Sequence, residues 1–227
     1  MIDEIRTELR ARANPEKAEG MRAYMKSEMP FLGIQKPGRE EIARAVFGAH
    51  PLDGFGAWRD TVLRLWREAT YREERYLAIR LARDRRYREH RTMAALPLYE
   101  ELIVTGAWWD FVDEVAVRLV AELLARDAAL APVVRAWAAG DELWLRRTAI
   151  VCQVLRKRDT DLALLYDCIE PNRADPDFFI RKGIGWALRA YAWVDPDEIA
   201  RYCATHELSA LSRREALRNI ARIRGAS

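Results

Sequence analysis

The segment Val115–Leu124, VAVRLVAELL, carries apolar side chains every three or four residues. This spacing puts Val115, Leu119 and Leu123 on one face of an α-helix, and a similar pattern surrounds Ile79. No stretch alternates apolar and polar residues convincingly, as a half-buried strand would. Turn residues interrupt the helical pattern about every 12–20 residues. The sequence therefore predicts an all-α protein of about a dozen short helices.

Several helices are expected to begin at short polar motifs. Three motifs each place a capping side chain directly before a proline suited to the first turn: Asn14-Pro15, Asp175-Pro176 and Asp195-Pro196. Successive helix pairs recur at roughly 35–45 residues, near the period of HEAT and armadillo units. We expect a HEAT-like helical repeat solenoid, curved and with a concave face, as a single domain over residues 1–227. A compact helical bundle is the alternative.

The composition argues against several other classes of protein. The 227 residues contain no apolar run of about 18, so no membrane span is expected, and the N-terminus does not resemble a secretion signal, which favours the cytoplasm. Neither glycine-rich nucleotide-binding loops nor metal-ligand spacings occur, so we expect no cofactor and no metal. The three cysteines, Cys152, Cys168 and Cys203, lie among apolar neighbours and are predicted to be core residues.

Basic residues are concentrated in the C-terminal half of the chain. The net charge is only +3, but 33 of the 38 basic residues are arginines. No acidic residue occurs in Trp144–Arg158 or Phe178–Val194, and Leu208–Ser227 contains only Glu215. We expect a cationic concave face whose natural partner is nucleic acid, and contacts from Arg181 and Lys182 to phosphates. A solvated helical surface would show the same pattern.

The stretch Trp108–Asp113, WWDFVD, follows Gly106 and is predicted to open a helix. Trp109 and Asp113 are four residues apart and therefore share a helical face. An indole beside a carboxylate suits a cationic or electron-poor partner. The alternative is a packed aromatic residue beside acids that the helix dipole favours.

Two further segments resemble parts of the same site: Leu143–Ile150, LWLRRTAI, and Phe178–Arg189, FFIRKGIGWALR. In the first, either Arg146 or Arg147 should point toward a concave face or a buried acid, because adjacent residues diverge by about 100° on a helix. In the second, Gly183 and Gly185 permit close approach of a neighbouring helix or a ligand.

Together with Met25 and the segment Pro30–Gln35, PFLGIQ, these motifs resemble the DNA alkylation repair family of AlkD-like DNA glycosylases, in family order across most of the chain. The resemblance implies excision of N3- and N7-alkylated purines from double-stranded DNA, without deep base flipping, by a protein we expect to be a monomer. It also implies roles for individual residues: Trp109, Asp113 and Trp186 at the damaged nucleotide, and Arg147 as the supporting arginine. We also expect Arg147 to bind DNA by holding phosphates. Tyr24, Phe178 and Phe179 are expected along the DNA-facing surface.

The chemistry of the residues agrees with that resemblance. Alkylation makes the purine cationic and a good leaving group, and bond cleavage develops positive charge on the deoxyribose. Asp113 can stabilise that charge and position water, and no acid is needed because the base leaves neutral. No lysine is placed as a Schiff-base nucleophile, so a monofunctional hydrolase is predicted. A non-catalytic HEAT-repeat protein that binds DNA or senses damage, and a HEAT-type protein-binding scaffold, are the alternatives.

Overall fold

The computed structural model describes residues 1–225, with side chains up to Arg222. All regular structure within these residues is helical, which confirms the all-α prediction. None of the described helices is both long and apolar enough to cross a membrane. The chain divides into two compact units, Met1–Leu98 and a second unit from Tyr99 onward, so the single domain over 1–227 stays a prediction.

The first unit contains five α-helices and two short 3₁₀-helices. The α-helices are α1 (Ile2–Ala11), α2 (Pro15–Met25), α3 (Lys36–Ala49), α4 (Gly54–Arg67) and α5 (Arg72–Ala82), followed by 3₁₀-helices at Arg85–His90 and Met93–Ala95. The helix α5 packs against α1, α3 and α4. Their apolar faces meet in a core around Phe47, Trp58 and Trp66, all fully buried.

The boundary between the units falls within α6 (Leu96–Gly106), and nine more α-helices follow in the part of the chain that the structure describes. They are α7 (Trp109–Val115), α8 (Ala121–Arg126), α9 (Leu130–Ala138), α10 (Leu143–Val151), α11 (Leu162–Ile169), α12 (Phe178–Tyr191), α13 (Pro196–Thr205), α14 (Ala210–Leu217) and α15 (Ile220–Gly225), with 3₁₀-helices at Lys157–Asp159 and Glu170–Asn172. A π-helical turn, Ala116–Val120, joins α7 to α8.

The second unit is built from successive helix pairs. Within the pairs α9–α10 and α13–α14 the two helices are in contact. Between pairs, α9 packs on α11, while α10 packs on α12 and α12 on α14. Helices therefore contact the corresponding member of the next pair, as expected of a helical repeat fold. The predicted curvature and cationic concave face stay predictions.

Two of the three predicted helix starts are confirmed. The side chains of Asn14 and Asp195 cap α2 and α13 by accepting hydrogen bonds from backbone N–H groups at 3.0 and 2.8 Å. The start at Asp175-Pro176 is wrong by two residues, because Asp177 caps α12. Asp175 instead pairs with Arg146 and accepts from the Asp177 N–H.

Candidate active site

A single guanidinium connects three helices of the second unit. Arg147, on α10, donates from Nε and Nη2 to the two carboxylate oxygens of Asp113 on α7, both at 2.8 Å. Its Nη1 donates to the carbonyl oxygen of Phe179 on α12, at 2.5 Å. Both candidate arginines therefore pair with an acid: Arg146 with Asp175, and Arg147 with the Asp113 of the WWDFVD stretch. This bidentate ion pair fixes the orientation of the Asp113 carboxylate.

The Asp113 carboxylate is held on one side and partly accessible on the other. Its side chain is 16% exposed, whereas that of Arg147 is 6% exposed. Burial raises the pKa of Asp113 above its ordinary value, and the ion pair with Arg147 opposes that rise. Each carboxylate oxygen accepts one hydrogen bond from the guanidinium and retains a further lone pair. The group can therefore also accept from water or stabilise a nearby positive charge.

Trp109 is the first residue of α7, as the sequence predicts, and Trp108 is its N-cap. Asp113 lies one turn further along the same helix, so the indole and the carboxylate lie on one face. Trp109 is half-buried, which leaves part of its ring accessible. The indole ring of Trp109 and the negatively charged carboxylate of Asp113 therefore lie side by side.

Trp186 lies on α12, which packs against α10. A Cβ atom added to Gly183 would lie 3.3 Å from Arg147 Nη1 and 3.4 Å from Val151 Cγ1. The absence of a side chain at Gly183 therefore lets α12 approach the buried arginine closely. Trp186 follows three residues later, on an adjoining part of the helix surface, and is half-buried.

The second glycine of the pair serves a different helix contact. A Cβ atom at Gly185 would lie 2.5 Å from the Cβ of Glu215 and 3.0 Å from the carbonyl oxygen of Ser212, both on α14. Close helix packing on two sides thus accounts for both glycines, the alternative to ligand contact that the sequence left open.

The two phenylalanines at the start of α12 have different environments. Phe179 is half-buried, with its ring 5.4 Å from that of Trp108 and 5.1 Å from that of Trp144. Phe178 is 53% exposed and packs edge-on against Phe179. Phe179 therefore belongs to an aromatic cluster beside Arg147, and Phe178 remains available to a partner.

Two side chains predicted to contact phosphates, Arg181 and Lys182, differ in how far their charges are neutralised by nearby groups. Lys182 Nζ lies 3.1 Å from a carboxylate oxygen of Glu215. Arg181 is half-buried, and its Nε donates to the carbonyl oxygen of Asp177 at 3.4 Å. It lines an open cavity of about 470 Å³. Of the two, Arg181 is the side chain with the less compensated charge.

Tyr24 lies in the first unit, on α2, and is 76% exposed. It borders an open cavity of about 310 Å³ whose lining also includes Phe31, Lys36, Arg39 and Tyr76. This lining is aromatic and basic, a combination that suits nucleic acid.

Sequence reasoning missed the structural supports of the site. The carbonyl oxygen of Phe179 accepts from Arg147, and the rings of Trp108 and Trp144 pack on each other and on the Phe179 ring. For the two tryptophans the sequence carried no signal beyond their place in the motifs. Gly183 carried a usable signal, since the sequence indicated a close approach there. A search of the described residues finds no group of three or more His, Cys, Asp or Glu side chains that could hold a metal ion.

Comparison with known proteins agrees with this architecture. A solved structure described as a predicted DNA alkylation repair enzyme from Enterococcus faecalis is similar, with a TM-score of 0.78 and 29% sequence identity over 90% of this chain and 94% of that chain. None of the curated proteins matches the sequence. The protein is thus an all-α helical repeat protein in which an arginine of α10 holds an aspartate of α7.

The family follows from the sequence profile of DNA alkylation repair enzymes, which matches residues 5–220. The chain belongs to the DNA alkylation repair enzyme family, and this membership supports a role in DNA repair.

Proposed function

We propose that this protein is a DNA glycosylase that hydrolyses the N-glycosidic bond of N3- and N7-alkylated purines in duplex DNA. The observation that carries the proposal is the partly exposed Asp113 carboxylate, oriented by Arg147 on the helix face that also bears Trp109. Family membership supports the DNA-repair context. Its action as a monomer in the cytoplasm stays a prediction.

The reaction needs a negative charge beside the sugar more than it needs an acid. When the bond between C1′ and the purine nitrogen breaks, its electron pair neutralises the cationic base, which leaves without a proton. Positive charge develops on the deoxyribose, and Asp113 stabilises it. Water then adds to C1′ and loses its proton to Asp113 or to solvent, which yields a free base and an abasic site. No lysine nucleophile takes part, so the strand stays intact.

The tryptophans are proposed to hold the sugar. The faces of Trp109 and Trp186 attract positive charge through their ring quadrupoles, and the attraction grows as the sugar becomes cationic. Each such contact is worth about 0.5–2 kcal/mol. Because these contacts strengthen toward the transition state, they favour the reaction as well as binding.

Arg147 is proposed to act through Asp113. The sequence predicts a DNA contact for Arg147, but its three donor nitrogens face Asp113 and Phe179, and its side chain is only 6% exposed. This geometry supports a positioning role for Arg147. Contacts to the DNA backbone are assigned to Tyr24, Phe178, Arg181 and Lys182, with Phe179 supporting Phe178.

The proposal is tested with a duplex oligonucleotide that contains one 7-methylguanine. We expect the enzyme to release free 7-methylguanine and to leave a strand that breaks only after treatment with alkali. Chromatography of the released base and gel analysis of the strand give the two readouts. Duplex binding without base release would instead identify a non-catalytic damage sensor, and strand cleavage without alkali would contradict the monofunctional mechanism.

A further inference from the structure

Four of the eight basic side chains in the acid-free segments Trp144–Arg158 and Phe178–Val194 pair with carboxylates elsewhere in the second unit. Four such ion pairs account for most of the charge on α10 and α12: Arg146–Asp175, Arg147–Asp113, Lys182–Glu215 and Arg189–Glu215. The cationic surface expected from the sequence is therefore smaller than the count of arginines indicates. The cations that remain uncompensated point more specifically to a polyanion site.

One group of such cations lies between α10 and α11, in the segment 155–160, which we call the basic loop. It contains Arg156, Lys157 and Arg158 in succession, and Lys157 and Arg158 are exposed. Among the ion pairs of the described residues, none joins any of these three side chains to a carboxylate. The loop thus presents three adjacent positive charges, with Asp159 as its one acid.

The basic loop is held in a defined conformation. The buried side chain of Gln153 donates from Nε2 to the carbonyl oxygen of Asp161 at 3.0 Å and accepts from the Asp161 N–H at 2.8 Å. These two bonds close the base of the loop. Within it, Arg156 Nε donates to the carbonyl oxygen of Asp159 at 3.1 Å. Less conformational entropy is therefore lost when the loop binds a partner than a free chain would lose.

The basic loop also lies beside the helix that carries Trp186. The 3₁₀-helix Lys157–Asp159 contacts α12, and Lys157 lines a small cleft together with Ala187, Ala190 and Tyr191. Ala187 directly follows Trp186, and Ala190 lies about 6 Å from Trp186 along the helix axis, at about 1.5 Å per residue. A DNA strand seated against Trp186 would have neighbouring phosphates within reach of these cations.

We propose that the basic loop grips the phosphate backbone of duplex DNA next to the lesion. This inference rests on the proposed function, because it takes Trp186 as a contact to the damaged nucleotide. The loop supplies affinity that is independent of sequence, since phosphate contacts carry no base information. Its residues take no part in bond cleavage.

The test compares the double variant K157Q/R158Q with wild type in binding undamaged duplex DNA, measured by fluorescence anisotropy over a range of salt concentrations. Each lost phosphate contact should reduce the slope of log affinity against log salt by about 0.9, so the double variant should lose about 1.8. If the two contacts contribute little to affinity at about 1 M salt, a slope difference of about 1.8 makes the affinity of the double variant up to about 60-fold lower than that of the wild type at about 0.1 M salt.

The matched control is R59Q/R64Q, which removes the same net charge from exposed side chains of α4 that already pair with Asp60 and Glu68. We expect the control to keep the wild-type slope. An unchanged slope in K157Q/R158Q, or an equal loss in the control, would overturn the inference. Release of 7-methylguanine by the wild type is measured separately. If the basic loop binds DNA but the wild type releases no base, the proposed glycosylase activity is wrong and the proposed phosphate contact still holds.

Discussion

Each compact unit contains a carboxylate with restricted solvent access, and the two are held by different donors. In the first unit Glu73 is fully buried and accepts hydrogen bonds from the backbone N–H groups of Leu32, Gly33 and Ile34 at 2.9–3.1 Å. In the second unit Asp113 is paired with Arg147 and keeps 16% of its side chain exposed. One carboxylate faces only its own chain, whereas the other also faces solvent.

The difference separates a structural role from a chemical one. Glu73 satisfies three backbone donors of the segment that joins α2 to α3, and no face of it is left for a substrate. Asp113 is fixed by one rigid partner and can still interact with a developing charge. The same functional group therefore stabilises the fold in one unit and is proposed to stabilise a transition state in the other.

The largest effect is expected from Asp113→Asn. The substitution keeps the shape of the side chain and removes its charge, so excision should fall by roughly 10²-fold or more. Duplex binding should be nearly unchanged, because Asp113 makes no phosphate contact in this account. Single-turnover release of 7-methylguanine and a binding titration measure the two quantities. A parallel loss of binding and release would mean that the carboxylate organises the DNA surface.

Arg147→Lys should reduce excision by roughly 10- to 100-fold. A lysine keeps the charge but cannot satisfy both carboxylate oxygens and the Phe179 carbonyl at once. Because the reacting form of Asp113 is the carboxylate, the rate falls as pH drops through its pKa. A weaker ion pair lowers that pKa less, so the acidic limb of the pH–rate profile should move to higher pH. An unmoved limb would contradict the positioning role.

Trp186→Leu should slow release by about 2- to 30-fold, the equivalent of about 0.5–2 kcal/mol of cation–π attraction. The matched control is Trp193→Leu, which removes a 53% exposed tryptophan just beyond the end of α12. That variant should release base at the wild-type rate. Equal losses in the two variants would point to a general effect on α12.

The smallest effect on excision is expected from Glu73→Gln. In the glutamine, the side-chain NH₂ replaces one carboxylate oxygen, so a donor would face a backbone N–H that is also a donor. The unpaired backbone group should lower the free energy of unfolding by about 1–3 kcal/mol. The excision rate of the folded protein should not change. Urea unfolding measures the loss, with the exposed Glu41→Gln as a control that should lie within about 0.5 kcal/mol of wild type. If Glu73→Gln had the same free energy of unfolding as the wild type, the structural role assigned to Glu73 would be wrong.

Local patterns in the sequence were enough to predict the helices and part of the site. Apolar spacing gave the all-α class, and capping motifs located the starts of α2 and α13. The four-residue separation put Trp109 and Asp113 on one helix, as the structure has them. These features depend on contacts within a few residues, which is why a single sequence contains them.

Tertiary partners could not be predicted in the same way. Asp113 and Arg147 are 34 residues apart, and local spacing alone could not choose between Arg146 and Arg147. The start of α12 was misplaced because Asp175 looked like a cap, while its side chain is engaged by Arg146 from another helix. The ion pairs that join the acid-free segments to distant carboxylates could not be predicted for the same reason.

The central claim is that Asp113 acts in the chemistry whereas Glu73 acts in the fold. The most direct test is the single-turnover rate of 7-methylguanine release for Asp113→Asn and Glu73→Gln, measured side by side with saturating enzyme at a temperature where both are folded. Each substitution converts one carboxylate to an amide. The account predicts that the first rate is roughly 10²-fold or more below the second, which stays at the wild-type value. Equal rates in the two variants would contradict it.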